Sequence, residues 1–209
     1  KITFKGAANN EAVSLRIGEG AFRSCTMLTE VLFEANSRVT DLGAQAFKGC
    51  VRLTQISFPA SLTVIGDNAF ESTKLSSVTF AEKGNLTEIG ASAFTKLPLA
   101  SLKFPASLET IGESAFYQNQ SLTSVEFAAD GADLTIGDYA FQKCEKLESI
   151  AISKNVVGIG EGVFLDCKKL AEVTVDENNQ YFVTDDGVLF DKGYTRLLFY
   201  PAGKTGTFV

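Results

Sequence analysis

Cysteines and carboxylates are the side chains best placed to do chemistry in this chain of 209 residues, because it has no histidine. Losing histidine removes the commonest general base and the commonest metal ligand together. The four cysteines, Cys25, Cys50, Cys144 and Cys167, fall into two pairs far apart in the chain, and without an imidazole to complete a ligand set no zinc site is expected. Gly203-Lys204-Thr205 has the ending of a phosphate-binding loop, but that motif needs a glycine five residues before Gly203, where Leu198 stands, so the segment reads as a turn. Asn85-Leu86-Thr87 and Asn119-Gln120-Ser121 match the glycosylation acceptor pattern, a tripeptide common by chance. No catalytic residue, metal or cofactor is expected from these groups.

Composition narrows the partners. A net charge of -6 and a sequence pI near 4.8 leave no basic stripe expected to neutralise phosphates, so nucleic acid is not an expected partner. The same charge repels an anionic membrane surface, and the apolar runs are too short to span one, so no membrane insertion by this segment is expected. The chain starts at Lys1 without a charged-then-apolar leader, and an export signal is expected to have been cut away or to lie outside it.

The elements that would position any site come from an internal repeat. Ile17-Gly18-x-x-Ala21-Phe22 recurs as Leu42-Gly43-x-x-Ala46-Phe47, Ile65-Gly66-x-x-Ala69-Phe70, Ile89-Gly90-x-x-Ala93-Phe94, Ile111-Gly112-x-x-Ala115-Phe116, Ile136-Gly137-x-x-Ala140-Phe141 and Ile159-Gly160-x-x-Val163-Phe164. The phenylalanines step by 25, 23, 24, 22, 25 and 23 residues. Five or six residues after each comes apolar-x-x-apolar-x-apolar, as in Leu53, Ile56, Phe58 or Leu122, Val125, Phe127. The last two apolar positions are two apart and share one face of an extended segment, which predicts a half-buried strand in each coil and parallel stacking of identical coils. An apolar pair before each Gly, such as Leu62 and Ile65, brings the chain back across the core, and the Gly is expected to supply a backbone conformation closed to other residues. The Ala-Phe that follows suits a short helical turn.

Of 17 phenylalanines, seven occupy the Ala-Phe position and five the last strand position, so nearly all the aromatic content is core. No coil closes that core alone, and stability is then a sum over neighbouring coils. Ile2-Thr3-Phe4 reads as the back half of another strand. After Val175 the pattern breaks: Asp186-Gly187 between apolar runs predicts a hairpin, a second turn is expected at Lys192-Gly193, and Phe208-Val209 reads as the start of a further strand. The expected organisation is a repeat solenoid over residues 1–175, with a truncated first repeat and seven more, and a β-hairpin insert or cap over 176–209.

The unit Leu-x-x-Val-x-Phe-Pro-Ala-Ser-Leu-x-x-Ile-Gly-x-x-Ala-Phe, nearly whole from Leu53 to Phe70 and from Leu99 to Phe116, resembles the BspA-like leucine-rich repeats of bacterial surface antigens and some protozoan parasites. Asp186-Gly187-Val188-Leu189-Phe190 followed by Tyr200-Pro201-Ala202-Gly203-Lys204 is similar to the element that interrupts repeat arrays in that family. The fold this implies is an α/β solenoid, a leucine-rich-repeat stack of about seven coils with a parallel strand face and short helical turns, ending in a small β-hairpin element. The resemblance implies an extracellular or surface-attached protein that binds a protein or glycan ligand on a host or neighbouring cell. Two departures, a five-residue Phe-to-Leu step in repeats three and four and the closer pairs Leu15-x-Ile17 and Leu134-x-Ile136, predict local irregularity in coil shape.

Each cysteine sits three residues after a repeat phenylalanine, in repeats one, two, six and seven. A column of small buried thiols is one reading; with adjacent coils roughly 4.8 Å apart, the bridges Cys25–Cys50 and Cys144–Cys167 are also open. The candidate binding surface is the outward side of the strands: Glu30, Leu32, Gln55, Ser57, Ser77, Thr79, Ser101, Lys103, Ser124, Glu126, Ser149, Glu172 and Thr174. It is rich in hydroxyls and poor in aromatics, which solubility and β-propensity also favour. The leading expectation is a secreted or cell-surface adhesion protein binding protein ligands there. The alternatives are a glycan-binding surface component and a solenoid polysaccharide-degrading enzyme. The last is disfavoured because Glu30 and Glu126 lie four coils, roughly 19 Å, apart, while paired carboxylates must stand about 5 to 9.5 Å apart to cleave a glycosidic bond.

Overall fold

A computed structural model describes residues 1–6, 14–34 and 36–205 as a parallel β-solenoid of about seven turns. The tail pair Phe208-Val209 lies outside the described residues. Strands are numbered along the chain. The predicted strand of each coil is present: Ile2–Phe4 (β1), Val31–Phe33 (β3), Gln55–Ser57 (β5), Ser77–Thr79 (β7), Ser101–Lys103 (β9), Ser124–Glu126 (β11), Ser149–Ile152 (β13) and Glu172–Val175 (β15). The apolar pair before each repeat glycine forms a second wall: Leu15–Ile17 (β2), Val39–Leu42 (β4), Val64–Ile65 (β6), Glu88–Ile89 (β8), Thr110–Ile111 (β10), Leu134–Ile136 (β12) and Val156–Ile159 (β14).

Between the walls lies the shared core. The repeat phenylalanines Phe22, Phe47, Phe70, Phe94, Phe116 and Phe141 stack ring on ring, with centroids 5.1 to 5.4 Å apart and planes within 12° of parallel. A second file, Phe58, Phe80, Phe104 and Phe127, runs alongside and meets the first edge-on, as in Phe104 against Phe116 at 62°. Each buried ring contributes about 1.5 to 3 kcal/mol by leaving water, and offset stacks and edge contacts add to that.

The two walls are built differently. The second wall is one unbroken seven-stranded parallel sheet, β14-β12-β10-β8-β6-β4-β2. The outer strands pair only two by two: β1 with β3, β5 with β7, β9 with β11, and β13 with β15. Chain length explains three of these pairs. From Ile56 to Val78, Leu102 to Val125 and Ile150 to Val173 the paired strands are 22, 23 and 23 residues apart. From Val31 to Ile56, Val78 to Leu102 and Val125 to Ile150 the step is 25, 24 and 25, and no ladder forms. Eight residues rather than six return the chain after β3, β7 and β11, and the surplus leans on the preceding coil. Asn85 N–H donates to Ala60 O and Ala132 N–H to Ala106 O. The pair β1–β3, 29 residues apart, stands outside this rule.

The expected short helical turns are not formed: no helix occurs among the described residues. The backbone N–H groups instead alternate between partners. In coil two Ala46, Lys48 and Cys50 donate three residues back, to Gly43, Gln45 and Phe47, while Gln45, Phe47 and Gly49 donate to Asp67, Ala69 and Glu71 of the next coil. A helix would keep all these bonds to itself and leave the neighbouring carbonyls orphaned in the core. Left-handed residues two before and two after each phenylalanine, such as Asn68 (φ 54°) and Ser72 (φ 62°), break the helical run.

The repeat glycine also acts otherwise than expected, since none of the seven has positive φ. Its role is close approach: a Cβ at Gly66 would lie 2.7 Å from Ala44 N, and one at Gly112 2.6 Å from Ala91 N. After β15 come Phe182–Asp185 (β16), Val188–Asp191 (β17) and Leu197–Phe199 (β18), an antiparallel three-stranded sheet. Asp186 (φ 46°) and Gly187 (φ 74°) form the first turn, both left-handed as a two-residue type I′ hairpin requires. Phe199 sets its ring edge-on to Phe164, with centroids 5.6 Å apart, and closes that end of the core.

Candidate functional site

All the outward strand residues singled out in the sequence are exposed except Glu30, which is partly covered and paired with Lys1 at 3.1 Å. Strand pairing brings them together in sets: Gln55 and Ser57 lie beside Ser77 and Thr79, Ser101 and Lys103 beside Ser124 and Glu126, and Ser149 beside Glu172. Leu32 lies beside Thr3, and Thr174 beside Ala151. The face is therefore a series of two-strand plates rather than one continuous ladder.

A cleft opens where two plates meet. The larger, about 460 Å³, lies at the β7–β9 junction and is lined by Thr79, Ser101, Lys103, Pro105, Ala106 and Glu82, with Phe80 and Phe104 as its floor. A second, about 350 Å³, occupies the equivalent β11–β13 junction among Glu126, Phe127, Ala129, Ala151, Ser153 and Asp176. Both are within the size range of ligand sites. No ladder closes these junctions, so the facing edges of β7 and β9, and of β11 and β13, are not paired with one another. Glu82, Pro105, Ala106, Ala128 and Asp176 escaped the sequence reading, which considered only outward strand positions; the alternation of eight- and six-residue returns is the signal that locates them.

Most charges on this face are paired, Glu172 being the exception among its described residues. Lys103 stands 3.3 Å from Glu126 and 3.5 Å from Glu82, and a hydrogen bond and the charge of Glu126, then Glu82, hold its ammonium above the ordinary lysine range. Glu148 pairs with Lys169 at 3.6 Å. These exposed pairs are suited to recognition and exchange with a partner rather than to proton transfer.

The remaining chemical candidates are structural. All four cysteines are free thiols. Cys50 donates to Phe22 O, Cys144 to Phe116 O and Cys167 to Phe141 O, each capping the carbonyl of the preceding coil's phenylalanine. Asn119 holds the same position in its own coil, and its fully buried amide donates to Phe94 O and Phe116 O, so it is no glycosylation acceptor in the folded chain. Lys204 ties its turn to Asp186 at 2.9 Å. No helix among the described residues is long and apolar enough to cross a membrane.

The repeat geometry has close parallels. A sequence profile of the family described as "BspA type Leucine rich repeat region (6 copies)" matches residues 9–123 and 87–185. No protein of curated function matches the chain. Among solved structures, the pneumococcal vaccine antigen PcpA is similar at 28% identity and a TM-score of 0.72, over 91% of this chain and 43% of its own. A leucine-rich cell surface protein of Faecalibacterium prausnitzii is similar at 25% identity and a TM-score of 0.70, over 95% of this chain and 54% of its own. The T. pallidum leucine-rich-repeat protein is similar at 28% identity and a TM-score of 0.66, over 81% of this chain and 78% of its own. The chain thus spans about half or less of the first two. With the profile covering most of its length and coils that stack as those of the solved repeat proteins do, this chain belongs to the BspA-type leucine-rich-repeat family.

Proposed function

We propose that this chain is the recognition segment of a secreted or surface-displayed bacterial adhesion protein, and that it takes a protein ligand on its strand face, centred on the cleft between β7 and β9. The observation that carries this reading is the cleft itself: a break in the strand ladder, a floor of Phe80 and Phe104, and a hydroxyl- and lysine-lined rim. An extended segment of a partner finds hydroxyls, an apolar contact and a charge in one place. The likeness to a protein described as a cell surface protein supports display outside the cell.

The test is binding of the chain to a panel of purified extracellular-matrix proteins and to epithelial cells, repeated with Thr79→Arg and Ser101→Arg. Both positions are exposed, so the fold survives, and the expected result is a loss of affinity of about tenfold or more for any protein the parent binds. Unchanged binding in both variants excludes this face.

A further inference from the structure

The cations of this chain are not spread evenly. The turns between each repeat phenylalanine and the next strand leucine (23–27, 48–52, 71–74, 95–98, 117–121, 142–146 and 165–169) hold nine of the 19 lysines and arginines but three of the 25 acidic residues. This corner carries +6 in a chain whose net charge is -6. Stacking of the coils, whose phenylalanine rings lie 5.1 to 6.1 Å apart, turns the corner into a ridge along the solenoid, so the expectation of no basic stripe fails. Net charge is a sum over all faces and is blind to their segregation.

Three features make the middle of this ridge a site. Lys48, Lys168 and Lys169 have carboxylate partners, whereas Arg52, Lys74, Lys96 and Lys146 have none among the described residues. Three hollows of about 420, 360 and 240 Å³ meet at coils three to five; Lys96 lines all of them and Lys74 two. Their walls carry hydroxyls and amides, among them Ser114, Gln118, Gln120 and Ser121, and the one carboxylate that lines them, Glu71, is held by Lys48 at 2.7 Å. Tyr117, the aromatic residue in these hollows, has the ammonium groups of Lys96 and Lys143 at 6.0 and 5.6 Å from its ring centre.

We propose that this ridge binds an anionic linear polysaccharide, with Lys74 and Lys96 taking its sulfate or carboxylate groups and the surrounding amides and hydroxyls its sugar hydroxyls. Repeating anions on a stiff polymer match cations repeated along a solenoid. A single-stranded nucleic acid would need open aromatic faces for its bases, and the Tyr117 ring is already engaged by two ammonium groups. The ridge lies at the opposite ends of the strands from the β7–β9 cleft and does not depend on that cleft being a binding site.

The test is titration of the full chain with a size-defined sulfated heparin-type oligosaccharide, a uronate-only oligosaccharide of equal length and uncharged dextran. The first two arms separate sulfate from carboxylate recognition. Lys74→Glu/Lys96→Glu is expected to weaken the bound polysaccharide roughly tenfold or more at about 0.1 M salt, and Arg52→Gln/Lys146→Gln to a lesser degree. Lys83→Glu/Lys154→Glu, the same charge change at exposed turn positions after β7 and β13, away from the ridge, is expected to stay within about twofold. Thermal melting checks that each variant is folded. The proposal is overturned if neither anionic oligosaccharide binds, if dextran binds as well, or if both lysine-pair reversals lose affinity equally. It is also overturned if a charge-matched single-stranded or duplex oligonucleotide or a phosphatidylserine vesicle binds as tightly as the better polysaccharide.

Discussion

Cys167 and Cys144 show how a residue that could do chemistry is put to structural use. Each thiol donates to a phenylalanine carbonyl of the coil before it, which spares that buried acceptor from being orphaned. Burial pushes the Cys167 thiol up to about 12; burial first, then the neighbouring Cys25, pushes Cys50 up to about 11; and Cys144 moves the same way. A raised thiol pKa means that the folded chain keeps a proton which the unfolded chain, near 9.0, gives up. Stability from these groups is therefore fully present below pH 9 and is lost as the pH climbs through the folded values. The melting temperature should fall on going from pH 9 to pH 11, and Cys144→Ala/Cys167→Ala should flatten that alkaline limb while lowering the plateau at pH 7. An alkaline limb of undiminished steepness in the double variant would refute the assignment, and the absence of free thiols in denaturant would show that bridges form instead.

At the scale of the turn and strand, the repeat glycine is set by contact rather than by dihedral. Gly112 donates to Ile89 O at 2.7 Å, and a Cβ there would press on Ala91 N at 2.6 Å and Gly90 C at 2.7 Å, atoms that belong to the turn of the preceding coil. Gly112→Ala should destabilise by about 1 to 3 kcal/mol through forced separation of two coils. Gly18→Ala, with no described atom within 4 Å of the added carbon, should stay within about 0.5 kcal/mol. Equal urea midpoints for the two variants would mean the coils are not in contact there. The same turn marks the limit of what the residues disclose. The phenylalanine files and the glycine column were legible because one spacing recurs seven times and only a stacked core makes use of it. The helical turns were misread because Gly-x-x-Ala-Phe suits a helix and a left-handed turn alike. The deciding positions hold Gln45, Asn68, Ser92, Ser114 and Tyr139, which share a backbone conformation but no one side-chain type.

For the whole molecule, what matters is how the coils add up. The outward strand residues were readable one by one, but their grouping into plates and clefts depends on a two-residue alternation in return length that no single coil reveals. The basic ridge was hidden for a similar reason, since its charges become a feature only when the coils are summed by column. The order of unfolding follows from the same additivity. A solenoid has no central core, so the coil at an exposed end loses its contacts first. Phe199 covers Phe164 on the side of the seventh coil that faces the β16–β18 sheet. Phe199→Ala should therefore leave the last coil, residues 159–175, with fast amide exchange while coils three and four keep the protection of the parent. The global melt should broaden rather than shift as one transition. Uniform loss of protection along the chain would instead show that the β16–β18 sheet stabilises all coils together, and the nearest-neighbour account of this solenoid would have to be replaced by a single cooperative unit.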